Sequence, residues 1–219
     1  MLTIYGVYRS RASRPLWLLG EIGLPFRHIP VIQAYRLADP SSMDAPLNTA
    51  SPSYLAVNPA GQIPAMDDEG FILTESMAIT HYLANRHGGD LGPADAKEEA
   101  LMVQASLIAA TSIEMPSLTI LLAQSEGRAA TPEGAAEVAA AADRLRRPFA
   151  RLNAVLAKQD WLVGGRFTVA DINVAECSRY AQASPDLIDE FPAVKAWLAR
   201  CQARPAFKAM WERRLTEPA

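Results

Sequence analysis

The chain has 219 residues, 50% of them hydrophobic and 21% charged, with a formal net charge of −3 and a pI near 5.7. That is ample apolar material for one large domain or two small ones, without the composition of a disordered segment. The acidic balance argues against the basic face that nucleic-acid binding needs.

Residues 1–5 run straight into a strand-like pattern and lack the regions of a signal peptide. No uninterrupted apolar run reads as long enough to span a bilayer. The two cysteines, Cys177 and Cys201, match no metal-ligand or CxxC spacing and lie on apolar stripes, as buried small hydrophobes do. The expectation is a cytoplasmic protein without a metal, a membrane or a nucleic-acid partner.

Residues 2–7 are expected to form a first strand, followed by a loop over 8–14. Ser13 can cap the next helix, with Pro15 in its first turn and Gly23 and Pro25 ending it. Residues 27–32 return as a second strand, which completes a βαβ unit with parallel strands and a right-handed crossover. Residues 33–53 are irregular, with Pro40, Pro46 and Pro52, and are longer than a simple connection requires. One helical turn is expected near residues 53–57. Two apolar runs, 63–66 and 71–74, flank the turn Asp67-Asp68-Glu69-Gly70, a hairpin signal. Glu75-Ser76 then opens a helix.

Beyond residue 89 the strand signal disappears. Residues 97–124 read as helix with a kink at Pro116. Residues 133–157 form an alanine-rich helix with Leu145, Phe149, Leu152 and Leu156 on one stripe. Phe167-Thr-Val-Ala-Asp171 reads as a capping box, with Thr168 at N-cap and Asp171 at N3, and Phe167 and Ile172 at the staple positions. Val194, Trp197, Leu198 and Cys201 form a further stripe. After Pro205, Phe207 and Trp211 pair at i, i+4.

Three stretches, in this order, carry a resemblance to the soluble glutathione transferases. Asn58-Pro-Ala-Gly-Gln-Ile-Pro64 resembles their loop into a cis-proline. Glu75-Ser76, with Met77, Ile79, Tyr82 and Leu83, resembles the pair that opens their third helix. Phe167-Thr-Val-Ala-Asp171 resembles their capping box. The resemblance covers essentially the whole chain, and the first loop is similar to the serine loop of bacterial-like, theta- and delta-like members. It implies an α/β plus all-α protein. A thioredoxin-like domain of βαβ-ββα order, residues 1–88, would bind glutathione. An all-helical domain, residues 89–219, would contribute the site of a small hydrophobic electrophile between the domains. Glutathione would be the co-substrate, no metal would be needed, and the protein would be a homodimer.

The same resemblance implies roles for individual residues. The Ile63 N–H and C=O, beside a cis Pro64, would pair with the cysteinyl backbone of glutathione as an added strand does. Ser76 and the α-helix N-terminus would take the γ-glutamyl carboxylate, and Glu75 the ammonium. Gln62 is a further polar contact. Arg36 either meets the glycyl carboxylate or is a solvated loop arginine.

Transfer chemistry needs the thiolate, and a free thiol with a pKa of about 8.5 is mostly protonated at neutral pH. A hydroxyl donated to the sulfur favours the anion. By resemblance to the serine loop of the theta- and delta-like members, Ser10, four residues before Arg14, is the candidate for that contact; Tyr5 is the tyrosine-class alternative, and Ser13 is expected only to cap the helix. No cysteine precedes Cys177, which argues against thiol–disulfide chemistry, and the loop lacks the Ser-Ser-Cys of a maleylacetoacetate isomerase. A glutathione-dependent lyase, dehalogenase or peroxidase on the same site, and a non-catalytic interaction protein of the same fold, are the alternatives. The 33–53 loop is expected to act as a lid or a wall of the electrophile site.

Overall fold

Two short segments, β1 (Thr3–Tyr5) and β2 (Arg27–Ile29), pair in parallel on either side of α1 (Ser13–Ile22). Helix α1 buries Leu16, Trp17, Leu18 and Leu19 and ends on Gly23 in the left-handed region, whose N–H bonds to the Leu19 carbonyl at 2.9 Å. This is a standard glycine stop. Antiparallel strands β3 (Ala65–Asp68) and β4 (Phe71–Thr74) complete a sheet of order β2-β1-β3-β4, with Tyr5 opposite Ala65. The hairpin closes on Glu69 and Gly70, both at positive φ, as a two-residue turn between right-twisted strands requires. Helix α3 (Ser76–His87) follows directly.

The computed structural model describes residues 1–217. The strands are shorter than the apolar patterns suggest: β1 and β2 have three residues each, and β3 begins at Ala65 rather than at Ile63. Ser13 is not the N-cap of α1. That place is held by Ala12, which has no side-chain cap and whose carbonyl already accepts from the Leu16 N–H at 3.1 Å.

The 33–53 loop contains a 3-10 turn (Ala34–Arg36) and runs into α2 (Pro52–Leu55). Its base is pinned by an Ile32–Asn48 bridge and by buried Asn48, whose Nδ2 donates to the carbonyls of Pro40 and Pro46, both at 3.0 Å. One side-chain amide thus replaces the ladder that the prolines forbid.

The structure divides into two compact units, Met1–Gly89 with the chain from Pro205 onward, and Asp90–Arg204. This differs from a helical domain over residues 89–219, because α10 (Pro205–Thr216) packs on α1. Phe207 meets Trp17 edge-on at 4.9 Å. Gly20 lets the helices approach, since a Cβ there would lie 3.3 Å from the Ala206 Cβ.

The second unit is all-helical. Helix α4 (Ala96–Ile108) passes through a π turn (Ala109–Ile113) into α5 (Glu114–Ser125). Pro116 lacks the N–H that the Ser112 carbonyl would take in a regular helix, and the break falls on the residues just before it rather than at the proline. By length and composition alone, Ala96–Ser125 is a helix apolar enough to cross a membrane, although Lys97, Glu98, Glu99, Gln104 and Glu114 leave it without an uninterrupted apolar run. It packs against α6 (Pro132–Leu156) and α7 (Val169–Ser178).

The capping box of α7 forms, with Thr168 N–H donating to Asp171 Oδ2 at 3.0 Å. Trp197 Nε1 and the Leu162 N–H donate to Asp171 Oδ1 at 2.9 and 3.1 Å. Burial pushes the Asp171 carboxyl up to about 6, against the pull of these donors. Short helices α8 (Pro185–Asp189) and α9 (Pro192–Ala203) complete the unit, with Val194, Trp197, Leu198 and Cys201 buried. Cys177 and Cys201 are both buried and form no disulfide.

Candidate functional site

The loop between β1 and α1 carries Ser10, half-buried, in a tight turn. Its hydroxyl donates to the Val7 carbonyl at 2.6 Å and accepts from the Ala12 N–H at 3.0 Å. The O–H is engaged by Val7, and a rotation away from that carbonyl would offer the proton to an anion without loss of the Ala12 bond. Gly6, at the root of the loop, has a φ of 140°, which favours glycine. A Cβ there would lie 2.9 Å from Ala12 Cβ and 3.5 Å from Ile63 Cβ, so the start of the serine loop sits directly against the Ile63–Pro64 segment.

That segment has a cis peptide bond between Ile63 and Pro64. The loop before it is locked through the Gln62 carbonyl, which accepts from Tyr54 Oη at 2.5 Å and from Asn58 Nδ2 at 2.7 Å. Burial pushes the Tyr54 phenol up to about 12, so it remains a donor. Among the described residues, no loop or turn hydrogen bond uses the N–H or C=O of Ile63. An unused donor and acceptor on one residue beside a strand end can take the backbone of an extended peptide. The Gln62 side chain is exposed.

At the start of α3, Glu75 is the N-cap and makes no side-chain cap; Ser76 is the first helical residue. The first amides of α3 are therefore open to an anion. Glu75 is exposed and has a φ of 66°, a region costly to a residue with a Cβ. The Ser76 hydroxyl, only 4% exposed, accepts from Arg14 Nη1 at 2.8 Å. Arg14 is 2% exposed, so its charge is held at little distance from Ser76 in a dry setting.

The structure brings Ser10, Ile63, Pro64 and Ser76 into one region through Gly6 and Arg14, with Gln62 and Glu75 at its exposed edge. The Tyr5 ring packs against the Val31, Tyr54 and Ala65 cluster, as Ile63 also does, and lies 6.1 Å from the Tyr54 ring. Arg36 donates to the Arg9 carbonyl at 3.3 Å. Sequence reasoning missed Arg14 as a partner of Ser76. The available signal was an arginine one turn into an otherwise apolar helix face, a place where a charge is buried only with partners. Among the described residues, no group of three or more His, Cys, Asp or Glu side chains could hold a metal ion.

The chain matches two family profiles, described as "Glutathione S-transferase, N-terminal domain" over residues 8–86 and "Glutathione S-transferase, C-terminal domain" over residues 102–205. It is 34% identical to glutathione S-transferase 3 of Zea mays, covering 94% of this chain and 91% of that one. Among solved structures, glutathione transferase F7 of Populus trichocarpa superposes with a TM-score of 0.79 at 26% identity, covering 98% of this chain and 99% of that one. A theta class glutathione S-transferase of Xanthomonas axonopodis pv. citri, with glutathione bound, gives 0.76 at 29% identity and 95% coverage of both chains. With both profiles matched in order along its length, the chain belongs to the glutathione S-transferase family.

Proposed function

We propose that the chain is a glutathione S-transferase that holds glutathione along Ile63 and the start of α3 and uses the Ser10 hydroxyl to keep the thiol ionised. The observation that carries this reading is the unused Ile63 backbone pair, set beside the serine loop by Gly6 and followed by the Arg14-bound Ser76. In this reading Ile63 takes the cysteinyl main chain and Ser76 the γ-glutamyl carboxylate. The carboxylate of Glu75 meets the ammonium, and Gln62 lies alongside. Ser10 then turns its O–H from Val7 to the sulfur. With an activated aryl halide, the sulfur lone pair forms the new S–C bond, the halide leaves with the bonding pair, and the thiol proton has already passed to solvent.

Tyr5 is the weaker candidate because its ring, partly buried, packs against the Val31, Tyr54 and Ala65 core cluster. The narrower placement with bacterial-like, theta- and delta-like chains gains no support from the plant relatives, which are phi-type, so the reading rests on the serine and not on a class. Ser10→Ala should leave glutathione affinity within about twofold and move the thiol titration of the bound tripeptide toward the free value of about 8.5. An unchanged titration would remove Ser10 from the role.

We also propose a homodimer. Leu101, Leu107 and Met115 are each more than half exposed on α4 and α5, apolar side chains that an interface would cover. Light scattering tests it, and a monomer at micromolar concentration would count against it.

A further inference from the structure

The loop that carries Ser10 is held from the far end of the chain. Glu217, just past the end of α10, accepts from two consecutive main-chain amides: Tyr8 N–H to Oε1 at 2.7 Å and Arg9 N–H to Oε2 at 2.8 Å. Successive N–H groups facing one way form a concavity suited to an anion. A carboxylate satisfies both with a single planar group. Arg214 adds the reverse contacts. Its Nη1 donates to the Tyr8 carbonyl at 2.6 Å, and its own carbonyl accepts from Arg9 Nε at 3.1 Å. The Tyr8 ring is buried edge-on to His28 at 5.1 Å, and its hydroxyl meets Arg213.

The two bonds of the Ser10 hydroxyl both lie inside the loop, to Val7 and Ala12. They fix the serine relative to its neighbours but not the loop relative to the sheet. That second task falls to outside groups: His28 Nε2, which donates to the Gly6 carbonyl at 2.7 Å, Arg36 on Arg9, and above all the Glu217 clamp. The clamp is aimed by α10, itself seated on α1 through Phe207, Trp17 and the Gly20–Ala206 contact.

We propose that Glu217 is a positioning residue for the transfer reaction: its carboxylate fixes the Tyr8–Arg9 main chain, and with it the point from which the Ser10 hydroxyl reaches the glutathione sulfur. The inference rests on the serine reading above and extends it to a residue that touches no substrate.

Position and charge make opposite predictions here, which allows a clean test. Removing a carboxylate near the sulfur would, through space alone, favour the thiolate and lower the thiol titration. Loosening the serine loop should raise it. Glu217→Ala is expected to move the titration of bound glutathione upward. It should cost about 10- to 100-fold in kcat with an activated aryl halide, the penalty of a misplaced group, while KM for glutathione stays within about twofold. Glu217→Gln keeps one acceptor oxygen and should fall between the wild type and the alanine variant.

In a Ser10→Ala background Glu217→Ala should cost less than about twofold, because its effect acts through the serine. A titration that moves down or not at all, or losses that add in the double variant, would overturn the clamp. If Ser10→Ala alone changes nothing, the serine reading fails instead. Should Glu217→Ala not fold, the same cycle run with Glu217→Gln decides the matter.

Discussion

In the proposed glutathione site, residues 62–76 and residues 7–14 are held in different ways. The loops of the first stretch are fixed by near neighbours in sequence, while its first strand pairs with β1 and Ser76 is held by Arg14. Tyr54 and Asn58 fasten the Gln62 carbonyl, Gly70 N–H bonds back to Asp67 at 2.7 Å, and α3 starts one residue after the β4 strand. The second is fixed by remote groups, from His28 and Arg36 to Arg214 and Glu217. A binding surface can therefore be written into a short motif. The loop that carries Ser10, the hydroxyl proposed to meet the sulfur, takes partners from remote parts of the first unit, including its last helix. The motif half should tolerate changes outside itself, whereas the serine half should answer to substitutions far along the chain.

Arg14 belongs to the second region by sequence and to the first by contact, so its replacement breaks the comparison most severely. Arg14→Met leaves Ser76 without its buried donor. Glutathione affinity should fall roughly 10- to 100-fold, the ~1.5–3 kcal/mol that goes with a hydrogen bond involving a charged group. Titration calorimetry reads the affinity, and an unfolding curve separates it from any loss of stability. Adding Ser76→Ala should cost little more, since both substitutions disable one contact. A folded Arg14→Met that binds glutathione normally would mean that α3 orients Ser76 unaided.

How far the sequence was legible follows the same division. The hairpin, the Glu75-Ser76 helix start, the capping box at Thr168 and Asp171 and the apolar stripes of α6 and α9 all express local periodicity and turn chemistry, which a linear reading captures. Ser13 looks like a cap because it precedes Pro15, but the loop folds so that the helix already starts on the Ala12 carbonyl. It grouped α10 with the helical domain because an amphipathic helix does not state which surface will cover it; the Gly20–Ala206 approach decides that. Arg14 and Glu217 looked like ordinary charged residues, since their partners lie 62 and about 209 positions away. The π turn at 109–113 escaped because Pro116 announces a missing donor but not how the helix will accommodate it.

Glu75 offers the smaller and sharper test. It lies in the local region, yet its backbone has a φ of 66° that only glycine adopts at little cost, while its side chain is exposed and makes no cap. A residue held in such a conformation loses on the order of 1 kcal/mol or more, which points to a role for the side chain itself. Two substitutions separate conformation from carboxylate. Glu75→Ala keeps the Cβ and its strain, whereas Glu75→Gly removes it. Both lack the carboxylate proposed to meet the ammonium of glutathione, so both should lose about tenfold in affinity, the worth of one charge-assisted hydrogen bond at an exposed site. Their stabilities should differ: Glu75→Gly should unfold at a higher denaturant midpoint than Glu75→Ala, by about 1 kcal/mol. Part of that gain is cancelled by the freer unfolded chain of glycine. Equal stabilities with unequal affinities would show that the turn before α3, not the carboxylate, is what glutathione reads.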